Sequence, residues 1–279
     1  MVRLDAATEA GSPRFAFGRN WASFLRLLDE ERICAAEASL RSLVGRDDLS
    51  GLRFLDIGSG RGLFSLAARR LGARVHSFDY DTDSVECTRA LRQRYFSSDA
   101  DWVVQQGSVL DQGFVASLGT HDVVYSWGVL HHTGALWSAV ARAMSTVQPG
   151  GSLIIAIYNY QPVLTPIWRV VKRTYVALPA PFQLLMAWSF TLGFGTRTAL
   201  ADLVRGRNPF GRLRRTNRRG MSFSHDVVDW IGGWPFEAAR PDDVTRFVAE
   251  RGFTVREVRV VGGRLGCNEF VFQRPLPPR

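Results

Sequence analysis

The sequence predicts an open α/β fold with a mostly parallel sheet, and two observations carry this prediction. Between residues 53 and 157, short apolar runs typical of strands alternate with stretches of helical periodicity. Strands that alternate with helices form a parallel sheet covered on both faces, and right-handed crossovers make the fold doubly wound. Near the end of the chain, two further strand-like runs separated by glycines indicate an antiparallel hairpin.

The predicted elements follow one another in a regular order. A helix is predicted over residues 20–44, where apolar side chains recur at helical spacing. The predicted strands are residues 53–57, 74–79, 102–106, 122–126, 152–157, 254–261 and 267–273, and the helices between them are residues 63–71, 83–95 and 136–146. A last helix begins at Pro241 and ends before Gly252, which are the positions that these two residue types favour.

Charge is concentrated in one segment of the chain. The net charge is +9, but residues 158–222 contain eleven basic residues and one acid, Asp202, and so carry +10 on their own. This segment interrupts the regular pattern after the fifth strand and is predicted to be a helical insertion. The basicity therefore belongs to the insertion, and no nucleic-acid surface is predicted for the rest of the protein.

Within the insertion, residues 174–196 contain no charged side chain. The stretch is long enough to span a bilayer, but Pro179, Pro181, Gly193 and Gly195 are expected to break it. An apolar stretch flanked by arginines suits a lid over a lipidic substrate, or else a peripheral membrane contact through residues 158–222. A helical subdomain with a solvated basic face is the alternative.

Cysteine usage and the N-terminus predict a cytoplasmic protein. Cys34, Cys87 and Cys267 are isolated and form no CxxC or metal-like spacing, which is typical of reduced thiols. Residues 1–12 lack the apolar segment of a signal peptide.

A glycine-rich turn, Asp56-Ile-Gly-Ser-Gly-Arg-Gly62, joins the first strand to the next helix. Its glycines let the backbone turn tightly and approach a ligand, because they have no Cβ. Leu63 stands where the dinucleotide fingerprint GxGxxG needs glycine or alanine. Asp56 would repel a pyrophosphate and favours a cationic ligand. The second strand ends in Asp79, whose carboxylate can accept two hydrogen bonds from one ligand.

These motifs resemble those of the class I methyltransferases that depend on S-adenosyl-L-methionine (SAM). The family's first motif, (D/E)xGxGxG, is matched in full by residues 56–62, and Gln148-Pro-Gly-Gly151 matches its turn before the fifth strand. The terminal hairpin is similar to its antiparallel sixth and seventh strands. The resemblance covers residues 50–157 and 240–274. It implies a seven-stranded Rossmann-like sheet, with an N-terminal helical cover and the helical insertion as additions.

The resemblance also implies where SAM binds. In the family, the glycine turn packs against the amino acid end of SAM, and an acid in the position of Asp79 binds the ribose hydroxyls. Many relatives have an acid at the position of Ser108, so the adenine contact here falls to Ser108, the Val109 backbone or Asp111. The full set of expected cofactor residues is Asp56, Gly58, Ser59, Gly60, Gly62, Asp79, Tyr80, Ser108, Val109 and Trp127.

Two adjacent histidines, His131 and His132, follow the fourth strand in the stretch VLHHTG. This stretch resembles the LEH or LHH of small-molecule methyltransferases, including the ubiquinone-pathway O-methyltransferases, in which the histidine falls on His132. The (D/N)PP(Y/F) motif typical of methylation at exocyclic or amide nitrogens is replaced by residues 126–129, SWGV. Histidine, with a pKa of about 6.5, can remove the proton of a hydroxyl acceptor. His132 is therefore the expected general base, ahead of a structural or orienting role.

Other side chains are expected to line the acceptor site. Tyr158 and Asn159 directly follow the fifth strand, and His131 either contacts the substrate or serves the fold. Trp230 and Trp234 lie in an aromatic and glycine-rich stretch predicted to be a loop, in which His225 competes with His132 as the base. No acid or cysteine stands at ligand spacing from the paired histidines, so no metal site is predicted.

The sequence thus predicts methyl transfer from SAM to a small or lipidic molecule, most simply at oxygen, with S-adenosyl-L-homocysteine (SAH) as the product. The alternatives are N- or C-methylation of a heterocycle, RNA methylation through the arginines, and a non-catalytic binding role. RNA is disfavoured because no RNA-binding module is recognisable. The predicted parts are a helical cover (residues 1–50), the SAM-binding core (51–157), the lid (158–240), and the last helix with the hairpin (241–279). The identity of the acceptor and the oligomeric state stay open.

Overall fold

A seven-stranded sheet forms the centre of the computed structural model, which describes residues 28–97, 99–206, 223–262 and 266–277. The strands are β1 (Arg53–Ile57), β2 (Arg74–Asp79), β3 (Trp102–Gln106), β4 (His121–Trp127), β5 (Val147–Tyr158), β6 (Thr254–Arg259) and β7 (Cys267–Gln273). They lie in the order β3-β2-β1-β4-β5-β7-β6. The first five are parallel, whereas β7 is antiparallel to both β5 and β6. The predicted architecture, including the antiparallel hairpin, is confirmed.

Helices cover both faces of this sheet. One face packs against α1 (Glu30–Val44), α2 (Leu63–Arg70) and α3 (Thr82–Tyr95), and the other against α4 (Gln112–Ser117), α5 (Leu136–Ser145) and α9 (Pro241–Ala249). Successive side chains of a strand point to opposite faces. Phe54 of β1 accordingly joins the first apolar cluster, whereas Leu55 and Ile57 join the second. The carboxyl ends of the parallel strands are left for the site.

The insertion between β5 and α9 contributes three helices to the described structure: α6 (Leu164–Ala177), α7 (Ala180–Val204) and α8 (Phe223–Gly232). Their inner faces form a third apolar cluster, which contains Trp168, Tyr175, Ala187, Val227, Ile231 and Phe236. Tyr158, at the end of β5, packs against this cluster. The insertion therefore has a small core of its own, which lies over the end of the sheet.

Two predictions about helices are wrong: one concerns where a helix begins, and the other concerns a segment predicted to be a loop. The helix predicted from residue 20 begins at Glu30, because Asp29 is extended and its side chain caps the helix by accepting from the Arg32 N–H. Residues 20–27 lie outside the described part of the chain. Residues 223–232, predicted to be a loop, form α8, because Val227 and Ile231 stand four residues apart and bury one side of a helix.

The charge-free stretch of the insertion lies mostly in α7, which continues through Gly193 and Gly195 without a break. An interior glycine costs a helix about 1 kcal/mol. Here aromatic packing by neighbouring residues offsets that cost, since the ring centroids of Phe190 and Phe194 lie 5.9 and 6.3 Å from that of Trp168. No helix in the described ranges is both long enough and apolar enough to cross a membrane.

Candidate active site

The glycine-rich turn leaves the carboxyl end of β1 and begins α2. Gly58, Gly60 and Gly62 have φ angles of 74°, 54° and 75°, a region that side chains disfavour. A Cβ on Gly58 would lie 2.4 Å from the side chain of Val129, in the loop after β4. The close approach of these two loops therefore requires glycine at position 58. The Gly58 and Ser59 N–H groups donate to the Phe78 carbonyl at 2.8 and 3.0 Å, which ties the turn to β2.

Asp79 connects this turn to the end of β2. One of its carboxylate oxygens accepts from the Gly60 N–H at 2.9 Å, and the other accepts from the Asp81 N–H at 2.9 Å. Burial raises the pKa of Asp79 to about 6, and the backbone hydrogen bonds oppose this shift. A carboxylate has about four acceptor positions, so Asp79 can accept further hydrogen bonds from the hydroxyls of a ligand. The glycine turn and Asp79 thus form the cradle that a ribose and an amino acid group need.

Asp56 ends a buried chain of hydrogen bonds beneath the turn. The Trp102 indole N–H donates to Ser77 at 2.9 Å, the Ser77 hydroxyl donates to Ser65 at 2.7 Å, and the Ser65 hydroxyl donates to Asp56 at 2.5 Å. Burial raises the pKa of Asp56 to about 7, the Ser65 hydrogen bond lowers it, and the nearby Asp79 charge raises it further. None of the sequence motifs indicates this chain of hydrogen bonds. Its signal is the register of the sheet, which places Ser77 opposite Asp56.

The three residues predicted to contact adenine follow β3, and the predicted cofactor residue Tyr80 follows β2. The Ser108 hydroxyl accepts from the Leu110 N–H at 3.1 Å, and the Val109 side chain is buried in the apolar cluster of the second face. The fallback candidate Asp111 caps α4 by accepting from the Phe114 N–H. Tyr80 is different, because its ring is 60% exposed. Tyr80 is therefore the side chain in this group that is most accessible to a planar ligand.

The other predicted cofactor residues, Ser59 and Trp127, have partners in the fold. The hydroxyls of Ser59 and Thr88 lie 3.1 Å apart, and the Thr88 hydroxyl also donates to the Gly60 carbonyl. Trp127, at the end of β4, donates its indole N–H to Glu269 of β7 at 2.8 Å. Thr88 and Glu269 were not among the sequence candidates, and both hold the walls of the cradle in place.

His132 lies in a 3₁₀ turn after β4 and faces the insertion. Its Nδ1–H donates to the Pro235 carbonyl at 2.7 Å. Burial lowers its pKa to about 3, the positive charge of Lys172 lowers it further, and the carbonyls of Pro235 and Gly233 oppose the shift. A neutral ring with its proton on Nδ1 has its lone pair on Nε2. His132 can therefore accept a proton at neutral pH, although as a weak base.

His131 occupies a different environment from its neighbour. It is completely buried, and its Nδ1 accepts from the Tyr158 N–H at 3.3 Å. Burial moves the pKa of His131 well below its ordinary value, with the charges of His132 and Lys172 as smaller causes. The Tyr158 ring packs on it with centroids 3.9 Å apart. This environment favours a structural role for His131 over the predicted substrate contact.

Aromatic rings from the insertion gather around Tyr158. The ring centroids of Trp230 and Phe236 lie 5.5 and 5.4 Å from that of Tyr158, and His132 lies at the same distance of 5.4 Å. Trp234 packs against the same apolar cluster and is partly buried. The structure thus brings Tyr158, Trp230 and Trp234 together with His132, as an acceptor site requires.

Two predicted residues do not join this group. The Asn159 amide donates to the Gly262 carbonyl at 2.8 Å and accepts from Asn268 at 3.1 Å, so its side chain connects β5 to the terminal hairpin. This favours a structural role for Asn159. His225 lies on α8, and its side chain falls outside the described structure.

Lys172 was not a sequence candidate, although it is the chain's single lysine. It is fully buried, and its ammonium group donates to the Trp230 carbonyl. Its Nζ lies 4.8, 5.0 and 5.8 Å from the ring centroids of Trp230, Phe236 and Tyr158, which are cation–π distances. The sequence signal is its helical spacing from the buried Trp168 and Tyr175.

Among the described residues, no group of histidine, cysteine and acidic side chains is arranged to hold a metal ion. The cradle at the ends of β1 and β2 offers a carboxylate with acceptor positions beyond its two backbone partners. Together with the strand order and the antiparallel hairpin, it is the arrangement expected of a class I SAM-dependent methyltransferase domain.

Comparison with known proteins agrees with this class. Residues 55–155 match the family described as "Methyltransferase domain". A ubiquinone biosynthesis O-methyltransferase from Xanthomonas campestris pv. campestris (strain B100) is 32% identical over 139 residues, which are 50% of this chain and 56% of that protein. A protein of the same description from Xanthomonas axonopodis pv. citri (strain 306) is 30% identical over 142 residues, which are 51% and 57% of the two chains. The chain therefore matches little more than half the length of these relatives.

Solved structures share the fold at low identity. Magnesium protoporphyrin IX methyltransferase from Synechocystis PCC 6803, solved with SAH bound, superposes with a TM-score of 0.54 at 14% identity and covers 92% of this chain and 93% of that one. An O-methyltransferase family protein from Burkholderia thailandensis gives a TM-score of 0.53 at 12% identity and covers 88% and 58%. The Synechocystis enzyme has also been solved with SAM bound.

Proposed function

We propose that this protein transfers the methyl group of SAM to a small or lipidic molecule, with an oxygen atom as the acceptor. The observation that carries the proposal is the hydrogen bond from Gly60 N–H to Asp79, which joins the glycine turn to a carboxylate with acceptor positions to spare. The names of the Xanthomonas relatives favour an oxygen acceptor. Methyl transfer needs little covalent help from the protein, since the sulfonium of bound SAM already activates the methyl group.

The chain's own residues would hold the cofactor in three places. Asp79 would accept from the two ribose hydroxyls, and the turn of Gly58, Gly60 and Gly62 would lie along the amino acid end. Asp56, once ionised, would balance the positive charge of that end from beneath the turn. Tyr80 would cover the adenine from the exposed side, with the backbone at Ser108 and Val109 below it.

The acceptor would enter between the cradle and the insertion. Its wall is aromatic, with Tyr158, Trp230 and Trp234 on one side, which suits an apolar or ring-shaped molecule. His132 would orient the acceptor and receive its proton at Nε2, while the Pro235 carbonyl holds the opposite side of the ring. Alignment of the acceptor oxygen with the methyl group would supply most of the rate enhancement.

One observation favours a second candidate, methylation at nitrogen or carbon. The pKa of His132 is lowered to about 3, so the imidazole is a weak base for an ordinary hydroxyl. An amine, or an acceptor oxygen that is already ionised at neutral pH, would need no such base. In that case His132 would only position the acceptor, and its loss would slow turnover far less.

The experiment that tests the proposal is incubation of the purified protein with methyl-labelled SAM and two host extracts, one of lipids and metabolites and one of RNA. Label in a small or lipidic product would support the proposal and provide a mass for identification. Label in RNA would contradict it. The matched control is the Asp79→Ala variant, which should show no transfer and no SAM binding by calorimetry, because the ribose loses its carboxylate. Wild-type SAM affinity in that variant would remove Asp79 from the cofactor site.

A further inference from the structure

The outward side of the insertion is apolar. On α7, Phe182, Leu185, Trp188 and Leu192 recur at helical spacing and are each more than half exposed. A helix on a protein surface normally turns polar residues outward. The inner side of α7 is also apolar, because Ala187, Phe190 and Phe194 pack into the insertion's own core. A helix that is apolar all round requires cover on both sides.

The outward side of α6 is apolar as well. Ile167 and Val170 are exposed, whereas Trp168, Lys172 and Tyr175 face inward. Because α6 and α7 place their inner residues in the same cluster, their outward sides both face away from it. We call the outward sides of α6 and α7 together the insertion face and define it by Ile167, Val170, Phe182, Leu185, Trp188 and Leu192.

The charges around the insertion face have one sign. Arg169 and Arg173 of α6 are exposed, whereas Asp202, the one acid of residues 158–222, is only 1% exposed. The described part of this surface therefore combines large apolar side chains with arginines and presents no carboxylate to solvent.

We propose that the insertion face docks on an anionic lipid bilayer and lies on its surface. Apolar side chains that enter the boundary between headgroups and acyl chains, with arginines on anionic headgroups, form the standard interfacial arrangement. A second copy of the chain fits less well, because two faces that both carry exposed arginines and no exposed acid repel each other. RNA also fits less well, since the face offers large apolar groups where a phosphate backbone needs polar ones.

Docking would have a consequence for the acceptor site. The insertion that carries this face also packs over Tyr158 and His132. A docked protein would therefore present its acceptor site next to the lipid, where a lipidic acceptor is concentrated. This consequence rests on the proposed function, whereas docking itself does not.

The test measures binding of the intact protein to vesicles by sedimentation, without SAM or an acceptor. Phosphatidylcholine vesicles with about one third phosphatidylglycerol should bind the protein at least ~10-fold more tightly than pure phosphatidylcholine vesicles. Leu185→Glu combined with Trp188→Glu should reduce binding by ~10-fold or more, because it places charge in the apolar boundary. Arg169→Gln combined with Arg173→Gln should reduce it by a similar factor, and only on the anionic vesicles.

Matched controls lie outside the insertion. Val260→Glu changes another exposed apolar residue, and Arg74→Gln with Arg89→Gln removes two exposed arginines elsewhere, so neither variant should alter vesicle binding. Calorimetric SAM binding by each variant checks that it is folded. Equal binding of wild type to neutral and anionic vesicles, or no binding to either, would overturn the proposal. Two other results would also overturn it. One is a wild-type dimer in light scattering that dissociates in the variant with Leu185→Glu and Trp188→Glu. The other is RNA binding that is lost in the variant with Arg169→Gln and Arg173→Gln.

Discussion

At the scale of single residues, the chemistry of the acceptor site depends on how His132 is held. Its Nδ1–H donates to the carbonyl of Pro235, which is more than a hundred residues away in the chain, and burial, together with the charge of Lys172, lowers its pKa and keeps the ring neutral. Both partners belong to the insertion. The insertion therefore sets the tautomer and the basicity of a residue that the core supplies.

Replacing His132 tests this assignment. His132→Ala should leave SAM affinity unchanged and slow turnover at least ~100-fold, the low end for loss of a general base. Turnover and calorimetric SAM binding should be measured together, with His76→Gln as the control, because His76 lies on β2 and bonds to Gln105 away from the site. Unaltered turnover in His132→Ala would assign the histidine a purely structural role.

The two acidic residues of the cradle should make SAM binding depend on pH. Burial raises the pKa of Asp79 to about 6 and that of Asp56 to about 7. The ionised forms are the ones that accept from ribose and attract a cationic group, so affinity should fall as pH decreases below about 7 and should be constant above it. Calorimetry at pH 5.5 and pH 8 should show SAM binding weaker by about tenfold or more at the lower pH. Asp79→Asn should flatten much of this dependence, and an unchanged pH profile in that variant would contradict the assignment.

The geometry of the candidate cofactor residues could be predicted from sequence because these residues are local in the chain. Glycine positions 58, 60 and 62 are set by the positive φ angles of one turn, and Asp79 follows from the end of the next strand. The environment of each side chain could not be predicted in this way. The burial of His131, the hairpin contacts of Asn159 and the cation–π contacts of Lys172 all arise between distant segments.

At the scale of elements, the strands match their predictions closely except for β5, which begins at Val147 and not at residue 152, whereas helices of the insertion do not match. A strand in a doubly wound sheet is a short apolar run between turns, and five residues of sequence contain the signal. The helix α8 begins near glycines and aromatics that are typical of loops, and it is stabilised by Trp168, Tyr175 and other residues of α6 and α7. Its conformation therefore depends on partners that the local sequence does not include.

Helix α5 shows the same dependence and gives a further prediction. Its N-cap residue, Ala135, has no side-chain hydrogen bond, and the Leu136 N–H donates instead to both carboxylate oxygens of Glu237, at 3.2 and 3.1 Å. Glu237→Ala should cost about 1 kcal/mol, the usual value of a cap, and lower Tm by roughly 2–4 °C. Thermal unfolding measures this, with Glu250→Ala, at the end of α9, as the control. Equal Tm values for the two variants would mean that the segment after α8 does not stabilise α5.

At the scale of the whole molecule, two parts with different charges share one site. In the proposed function, the parallel core, with a net charge near zero, would supply the cofactor cradle, and the insertion, which carries +10 over residues 158–222, would supply the acceptor wall. Their junction is rich in buried groups that are neutral in the folded state. His131 and His132 lie there, and His121 is buried at the opposite end of β4.

These histidines predict how the stability of the whole protein responds to acid. Burial lowers the pKa of His121 to about 4, the charges of His76 and Arg53 lower it further, and the Thr146 and Asp122 contacts oppose the shift. A group whose folded pKa lies below its unfolded value of 6.5 contributes its full stability above pH 6.5 and loses it as pH falls toward 4. Asp56 and Asp79 act in the opposite direction, since their pKa values are raised, so wild type alone does not isolate the effect.

The informative quantity is the Tm of His121→Gln minus that of wild type, measured at pH 7.5 and pH 5. Compared with its value at pH 7.5, this Tm difference should move in favour of the variant at pH 5. The expected change is about 1 kcal/mol, or roughly 2–4 °C, after allowance for partial solvation of the ring. Parallel pH profiles for the two proteins would mean that His121 protonates as readily in the folded state as in the unfolded chain.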